Sequence, residues 1–250
     1  MECPICESEG KFLFRAGQYD YLKCQRATCG AIWISLYPDH TLGDYDKDYH
    51  TSYDKPEMIK ETLRQVGYIK KALSEVILPT YSPSIVELLE VGCSGGNLLT
   101  YLQAIGYKAW GMDLSEEALE IAKVKGIIPE QLSYGIYPQM PKSLDGKIFD
   151  LVIMIHLLEH IPNVHSAWRT LSQIAKSFYL YMPNANAEKG KDWVHINPKR
   201  PGEHCVFYTI PSILHLCNKY GFKITSCREI GDDLLVVGTK ENVYPEYMGG

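Results

Sequence analysis

The stretch "ELLEVGCSGGNLLTYL", residues 87–102, joins two apolar runs through a knot of small residues: Gly92, Cys93, Ser94, Gly95 and Gly96. The first run is short and continuously apolar, as a buried strand is. The second carries its apolar residues at helical spacing. Small residues at such a junction let the backbone turn sharply and let another group come close to it.

Working outward, the same alternation repeats. "YKAWGMDL" reads as a strand, and "SEEALEIAKVKG" as a helix with Ser115 as its N-cap and Gly126 as its stop. "FDLVIMIHLL" is a strand, "HSAWRTLSQIAK" a helix, "SFYLYMPN" a strand and "IPSILHLCNKYGF" a helix, before two last strands, "KITSCREI" and "LLVVGTK". Alternation of this kind predicts an α/β fold with a doubly wound, mostly parallel sheet. Ahead of it, residues 55–78 place Met58, Ile59, Leu63, Val66, Ile69 and Leu73 on one helical face, with Pro79 as the stop. The expected division is a small module over residues 1–50, a helical linker over 51–79, the large domain over 80–240 and a tail over 241–250.

A Gly-rich turn between a first strand and a first helix is where doubly wound folds bind nucleotide-like ligands. A phosphate loop would end in Gly-Lys-Ser/Thr, which "GGNLL" lacks, and the glycines do not fit the dinucleotide G-x-G-x-x-G pattern. What stands here is an acid, Glu90, two residues before the first glycine. Asp113 closes the next strand, where a carboxylate can accept both hydroxyls of a ribose diol. A ligand-free tight turn, with Asp113 flanking a helix start, accounts for the same residues.

At Glu90-Val91-Gly92-Cys93-Ser94-Gly95-Gly96 the chain resembles the class I S-adenosylmethionine-dependent methyltransferases, whose first motif is E/D-x-G-x-G-x-G, with Ser94 in place of the middle glycine. "FDLVIMIHLLEHIPN", "SFYLYMPNAN" and "HCVFYTIPSILHLCNKYGFKI" follow in the order seen in ubiquinone-pathway O-methyltransferases and sugar methyltransferases. The resemblance implies a Rossmann-like fold and S-adenosylmethionine as cofactor. It implies cofactor contacts from Glu90, Gly92, Cys93, Gly95, Gly96, Asp113, Leu114 and His156. Gly135 and Ile136 stand where that family places a polar partner for adenine.

Four of the eight cysteines fall early, as Cys3-x2-Cys6 and Cys24-x4-Cys29. Four thiolates so spaced suit one tetrahedral, structural zinc, and a module this small needs such a staple. The region is similar to the zinc-binding N-terminal module of sugar C-methyltransferases, including the trailing "YDKDYHTSY". Cys93, Cys205, Cys217 and Cys227 read as small core residues.

For transfer to a hydroxyl or a carbon acid, a general base is expected, and histidine is matched to neutral pH. His156, His160, His195 and His204 are the candidates, with Glu203 and Tyr208 beside them. His160 and His204 lead. His156, Glu159 and His160 together also suit a divalent ion. The polar stretch 184–204 reads as a binding loop, with Trp193, Lys199 and Arg200 available to a sugar or an anion.

A net charge of −5 supplies no basic face for nucleic acid, no apolar run is long enough to cross a bilayer, and "MECPICESEG" is not a signal pattern. The expectation is a cytoplasmic methyltransferase acting on O or C of a small-molecule or sugar-linked substrate. The alternatives are an RNA methyltransferase carrying a zinc module, or a non-catalytic protein that binds the cofactor.

Overall fold

The computed structural model describes residues 1–37, 54–77, 81–187 and 202–240. In chain order the elements are β1 (Gly10–Ala16), β2 (Tyr19–Cys24), β3 (Ile32–Ile34), α1 (Pro56–Val76), β4 (Glu87–Val91), α2 (Asn97–Ala104), β5 (Lys108–Asp113) and α3 (Glu116–Val124). They continue with β6 (Leu132–Tyr134), β7 (Phe149–Ile155), α4 (Val164–Ile174), β8 (Ala175–Pro183), β9 (Val206–Phe207), α5 (Ile210–Tyr220), β10 (Phe222–Ile230) and β11 (Asp233–Lys240). Seven strands form one sheet in the order β10-β11-β8-β7-β4-β5-β6, and four form another in the order β1-β2-β3-β9. The large sheet is mostly parallel, as the alternation of the sequence requires. Among the described residues no helix is long and apolar enough to cross a membrane.

The chain divides into two compact units. One is built from residues 54–77, 81–154 and 173–179, the other from 1–37, 155–172, 180–187 and 202–240. In the first, β4 pairs in parallel with both β5 and β7, and β5 with β6. Leu88, Leu89, Leu151, Val152 and Ile153 are all sealed from solvent, the continuous burial of a strand covered on both faces. Asp150, the acid of the "FDLV" run, fixes the register at the opposite end from the glycine loop. Its carboxylate accepts from the Glu87 amide at 2.9 Å and from Lys176 Nζ at 2.8 Å.

Helix α1 starts at Pro56, whose fixed φ suits a first helical position. Its buried face differs from the expected one. Leu63 is half exposed, while Gln65 is buried together with Val66, Ile69, Ala72, Leu73 and Val76. Gln65 is admitted because its polar atoms are matched: Tyr179 Oη donates to its Oε1 at 2.6 Å, and its Nε2 donates to Glu61 at 2.8 Å. Pro79 lies outside the described residues. So do the "YDKDYHTSY" segment, His195, Trp193, Lys199, Arg200 and the expected tail.

In the second unit the cysteine-bearing hairpin is not closed on itself. β1 and β2 pair antiparallel, β2 pairs with β3, and β3 then pairs with β9, with Ile32 opposite Phe207 and Trp33 opposite Val206. Helix α5 follows at once, capped by Thr209 and Ser212 in a reciprocal capping box and stopped by Gly221 at φ 76°. Antiparallel β10 and β11 complete the unit.

Candidate functional site

The glycine knot lies in the first unit. Gly92 leaves β4 at φ 77°, Ser94 follows at φ 47°, and Gly96 caps α2 at φ 74°. These are left-handed positions, and only Ser94 occupies one with a side chain. The amides of Gly92 and Cys93 both donate to the Met112 carbonyl, at 2.8 and 3.1 Å, folding the loop back over the end of β5. A side chain at Gly96 would meet Ala122, and one at Gly95 would meet Ile121, both at 2.9 Å. These two glycines are therefore required by close packing of the loop on α3, a reason that the sequence reading, which saw ligand clearance, did not contain.

Asp113 ends β5 nearly buried. Its Oδ2 accepts from the Ser94 amide at 2.8 Å and its Oδ1 from the Ser115 amide at 2.9 Å. It thus ties the glycine loop to the start of α3, where Ser115 accepts from Ala118 as the expected N-cap. Leu114 beside it is half-buried. The Gly135 amide donates to the Asp113 carbonyl at 3.0 Å, and Ile136 is exposed.

Glu90 is the residue the packing does not explain. It is 7 % exposed, and its Oε2 has no hydrogen-bond partner. Burial, then the nearby Asp113 carboxylate, pushes its pKa well above the ordinary carboxylate range. The same causes push up the Cys93 thiol, buried between the two acids. A carboxylate left in this condition calls for a cation or a donor.

His156, His160 and His204 lie in the second unit. His156 is the first residue past β7 and takes a left-handed φ of 48°. Its amide donates to the Tyr181 carbonyl at 2.8 Å, and its Nδ1–H donates to Glu159 Oε1 at 3.2 Å. The next turn, Leu158–His160, places Glu159 fully inside the protein. Burial alone would raise Glu159, but the His156 hydrogen bond and the charges of His160, His156 and His204 bring it down to about 2. His160 Nδ1–H donates to the Glu203 carbonyl at 3.0 Å, which leaves its lone pair on Nε2. The His204 ring stands edge-on to His160, with centroids 4.7 Å apart. Burial holds His204 down to about 4, and its Nδ1 has no partner. One ligand atom each from Glu159, His160 and His204 fall within 4.8 Å of one another, so it is His204, not His156, that completes a three-ligand set with Glu159 and His160.

The four early cysteines converge. Their sulfurs also lie within 4.8 Å of one another, with Cys3–Cys29 at 3.8 Å and Cys6–Cys24 at 3.5 Å, and all four are free thiols. The bond from Cys29 lowers the Cys3 thiol to about 5, while burial raises Cys24 to about 11. Four converging sulfurs form a soft donor set of the kind that fits zinc.

A sequence model of the family described as "Methyltransferase domain" matches residues 51–227. The ubiquinone biosynthesis O-methyltransferase of Bordetella parapertussis is 32% identical over 92 residues, covering 36% of this chain and 38% of that protein. Its counterpart from Proteus mirabilis is 26% identical over 138 residues, 54% of each. The chain therefore spans about half or less of the length of these curated relatives. In fold, it resembles the magnesium protoporphyrin IX methyltransferase of Synechocystis, solved with bound SAM, at a TM-score of 0.53 and 16% identity over 82% of this chain and 88% of that one.

The His204 environment has a measurable consequence. Its folded pKa lies below the ordinary histidine value, so below pH 6.5 the unfolded chain takes up a proton that the folded chain refuses until about pH 4. Stability from this group is full above pH 6.5 and is lost as pH falls through that window, on the order of 3 kcal/mol in all. Denaturant melts at pH 7 and pH 4.5 should show a steeper loss for the wild-type chain than for His204→Gln. Equal losses would remove His204 as an acid-sensitive element.

Proposed function

The chain belongs to the methyltransferase-domain family, and from that premise we propose that it moves the methyl group of S-adenosylmethionine onto an oxygen or carbon of a small-molecule or sugar-linked acceptor. The observation that carries this reading is the unpartnered, buried Glu90 carboxylate beside Asp113 under the glycine loop. S-adenosylmethionine, when bound, supplies an activated methyl on a sulfonium, together with an ammonium group and a ribose diol. Glu90 and Asp113 would answer that charge and that diol: Glu90 would face the cationic end, and the Asp113 carboxylate at the end of β5 would receive the ribose hydroxyls. The relatives named ubiquinone biosynthesis O-methyltransferase favour oxygen as the acceptor atom.

The chain's part in the transfer is to align an acceptor and take its proton. His160 suits the second task. The Glu203 carbonyl fixes its Nδ1–H, so Nε2 is presented as the base, and the ionised Glu159 stabilises the imidazolium that forms. His204, which burial holds neutral to about pH 4, serves to shape the cluster. His156, turned into Glu159, orients that carboxylate. Cys3, Cys6, Cys24 and Cys29 would hold one structural zinc, with no ligand position left open for chemistry.

A second reading is favoured by one observation. Glu159 Oε2 and His204 Nδ1 are both buried without partners, in a two-histidine, one-carboxylate set that suits a divalent transition metal. Metal analysis separates the two. The base reading expects one ion per chain, on the cysteines, and the metal reading expects a second ion that His160→Ala removes.

Glu90→Gln gives the sharpest test of the cofactor site, because its two effects have opposite signs. Removing a buried acid whose ionisation both burial and Asp113 oppose should raise the thermal midpoint of the free protein. Losing a charged partner should weaken S-adenosylmethionine binding about tenfold or more by calorimetry. Unchanged affinity would remove Glu90 from the site.

For the base, His160→Ala should reduce turnover by about two to four orders of magnitude, leave cofactor affinity nearly intact and erase the acidic limb of the pH–rate profile. Near-wild-type turnover in this variant would refute the assignment.

A further inference from the structure

We propose that the four-cysteine metal centre positions the Glu159–His160–His204 cluster, with residues 202–209 as the strap that joins the two; this rests on the reading of that cluster as the catalytic one. The strap is gripped by the cysteine module at each end and in between. Tyr21 hydrogen-bonds the Gly202 backbone, and Gly202, at φ 87°, lies so close to the Tyr19 ring that a methyl group there would meet it at 2.6 Å. The Ile34 amide donates to the Cys205 carbonyl at 3.1 Å. Val206 and Phe207 continue the pairing as β9, and the Thr209 hydroxyl donates to the carbonyl of Cys29, itself one of the four thiol residues.

The same eight-residue strap holds the cluster from its other side. The Cys205 amide donates to the Glu159 carbonyl at 2.6 Å, the Glu203 carbonyl takes the His160 Nδ1–H, and Tyr208 Oη donates to the Leu158 carbonyl at 3.4 Å. His204 is part of the strap. One residue, Cys205, separates strand β3 of the metal module from the Glu159 backbone.

Small thiolate modules lose their fold when the metal leaves, because the chain has too little apolar surface to hold itself. Metal loss therefore removes β3 and the Cys29 carbonyl as partners of the strap, and the strap then has no reason to keep Glu203, His204 and Cys205 against the Leu158–His160 turn. The coupling is reciprocal: whatever loosens the strap must weaken metal retention by the same factor. Metal occupancy thus sets the geometry of the base.

Amide hydrogen exchange on the full chain, with and without chelator treatment, tests this without reference to activity. Chelation should cost about tenfold or more in protection at the Cys205 and His160 amides, with β4 and β5 unchanged. Protection kept at those two amides, or lost throughout β4 and β5 alike, would overturn the proposal. Thr209→Val provides a second arm that leaves every thiol in place. It should speed release of metal to a chelator and lower kcat with little change in cofactor affinity, and Thr209→Ser, which keeps the hydroxyl, should restore both. A hydroxyl that serves only to cap α5 would leave metal release unchanged, and that result would refute the strap. Should His160→Ala retain turnover while chelation still releases these amides, the coupling stands and the base assignment alone falls.

Discussion

The backbone of Cys205 is shared between two structures. Its carbonyl accepts from Ile34 in the cysteine module, and its amide donates to the carbonyl of Glu159. Buried backbone groups must be paired, and each of these bonds closes one account for two elements at once. The four-stranded sheet gains its last strand from the chain after residue 201, and the Glu159–His160 turn gains its fixed position from the same short segment. A module too small to build its own core is thereby built into the unit that carries the histidines, and the fourth strand is what makes it so.

The other constraint is electrostatic. Burying Glu90 near Asp113 costs stability in the free protein, since desolvation and like charge both oppose ionisation. Asp113 is relieved in part by two backbone amides, and Glu90 is not. Strain of this kind clusters at ligand sites, and in the proposed reading a cationic cofactor with a diol would relieve both acids together. The contrast with Glu159 is instructive. It too is fully buried, but the hydrogen bond from His156 and the neighbouring histidines lower it where Glu90 is raised.

Much of the large sheet was legible because its strands are covered on both faces and read as continuous apolar runs, with Ser115 and Gly126 marking helix ends as their chemistry predicts. The short β6 was not, since three residues carry no period. On α1 the reading placed Leu63 inside and left Gln65 out, because hydropathy does not register the partner, Tyr179, that makes a buried amide acceptable. Within the candidate sites, the converging cysteines follow from spacing alone. What spacing could not disclose is pairing across long stretches of chain: β3 with β9, Thr209 with Cys29, and His160 with Glu203. Those contacts decide which histidine presents a free Nε2, and no local pattern encodes them.

The most direct measurement follows methyl label from S-adenosylmethionine into a cell extract incubated with the purified, metal-replete chain, with products resolved by mass. The account predicts label in a low-mass organic or sugar-linked product, gained in proportion to enzyme and absent with His160→Ala. Label recovered in RNA, or none above background from a chain that binds the cofactor, would contradict it.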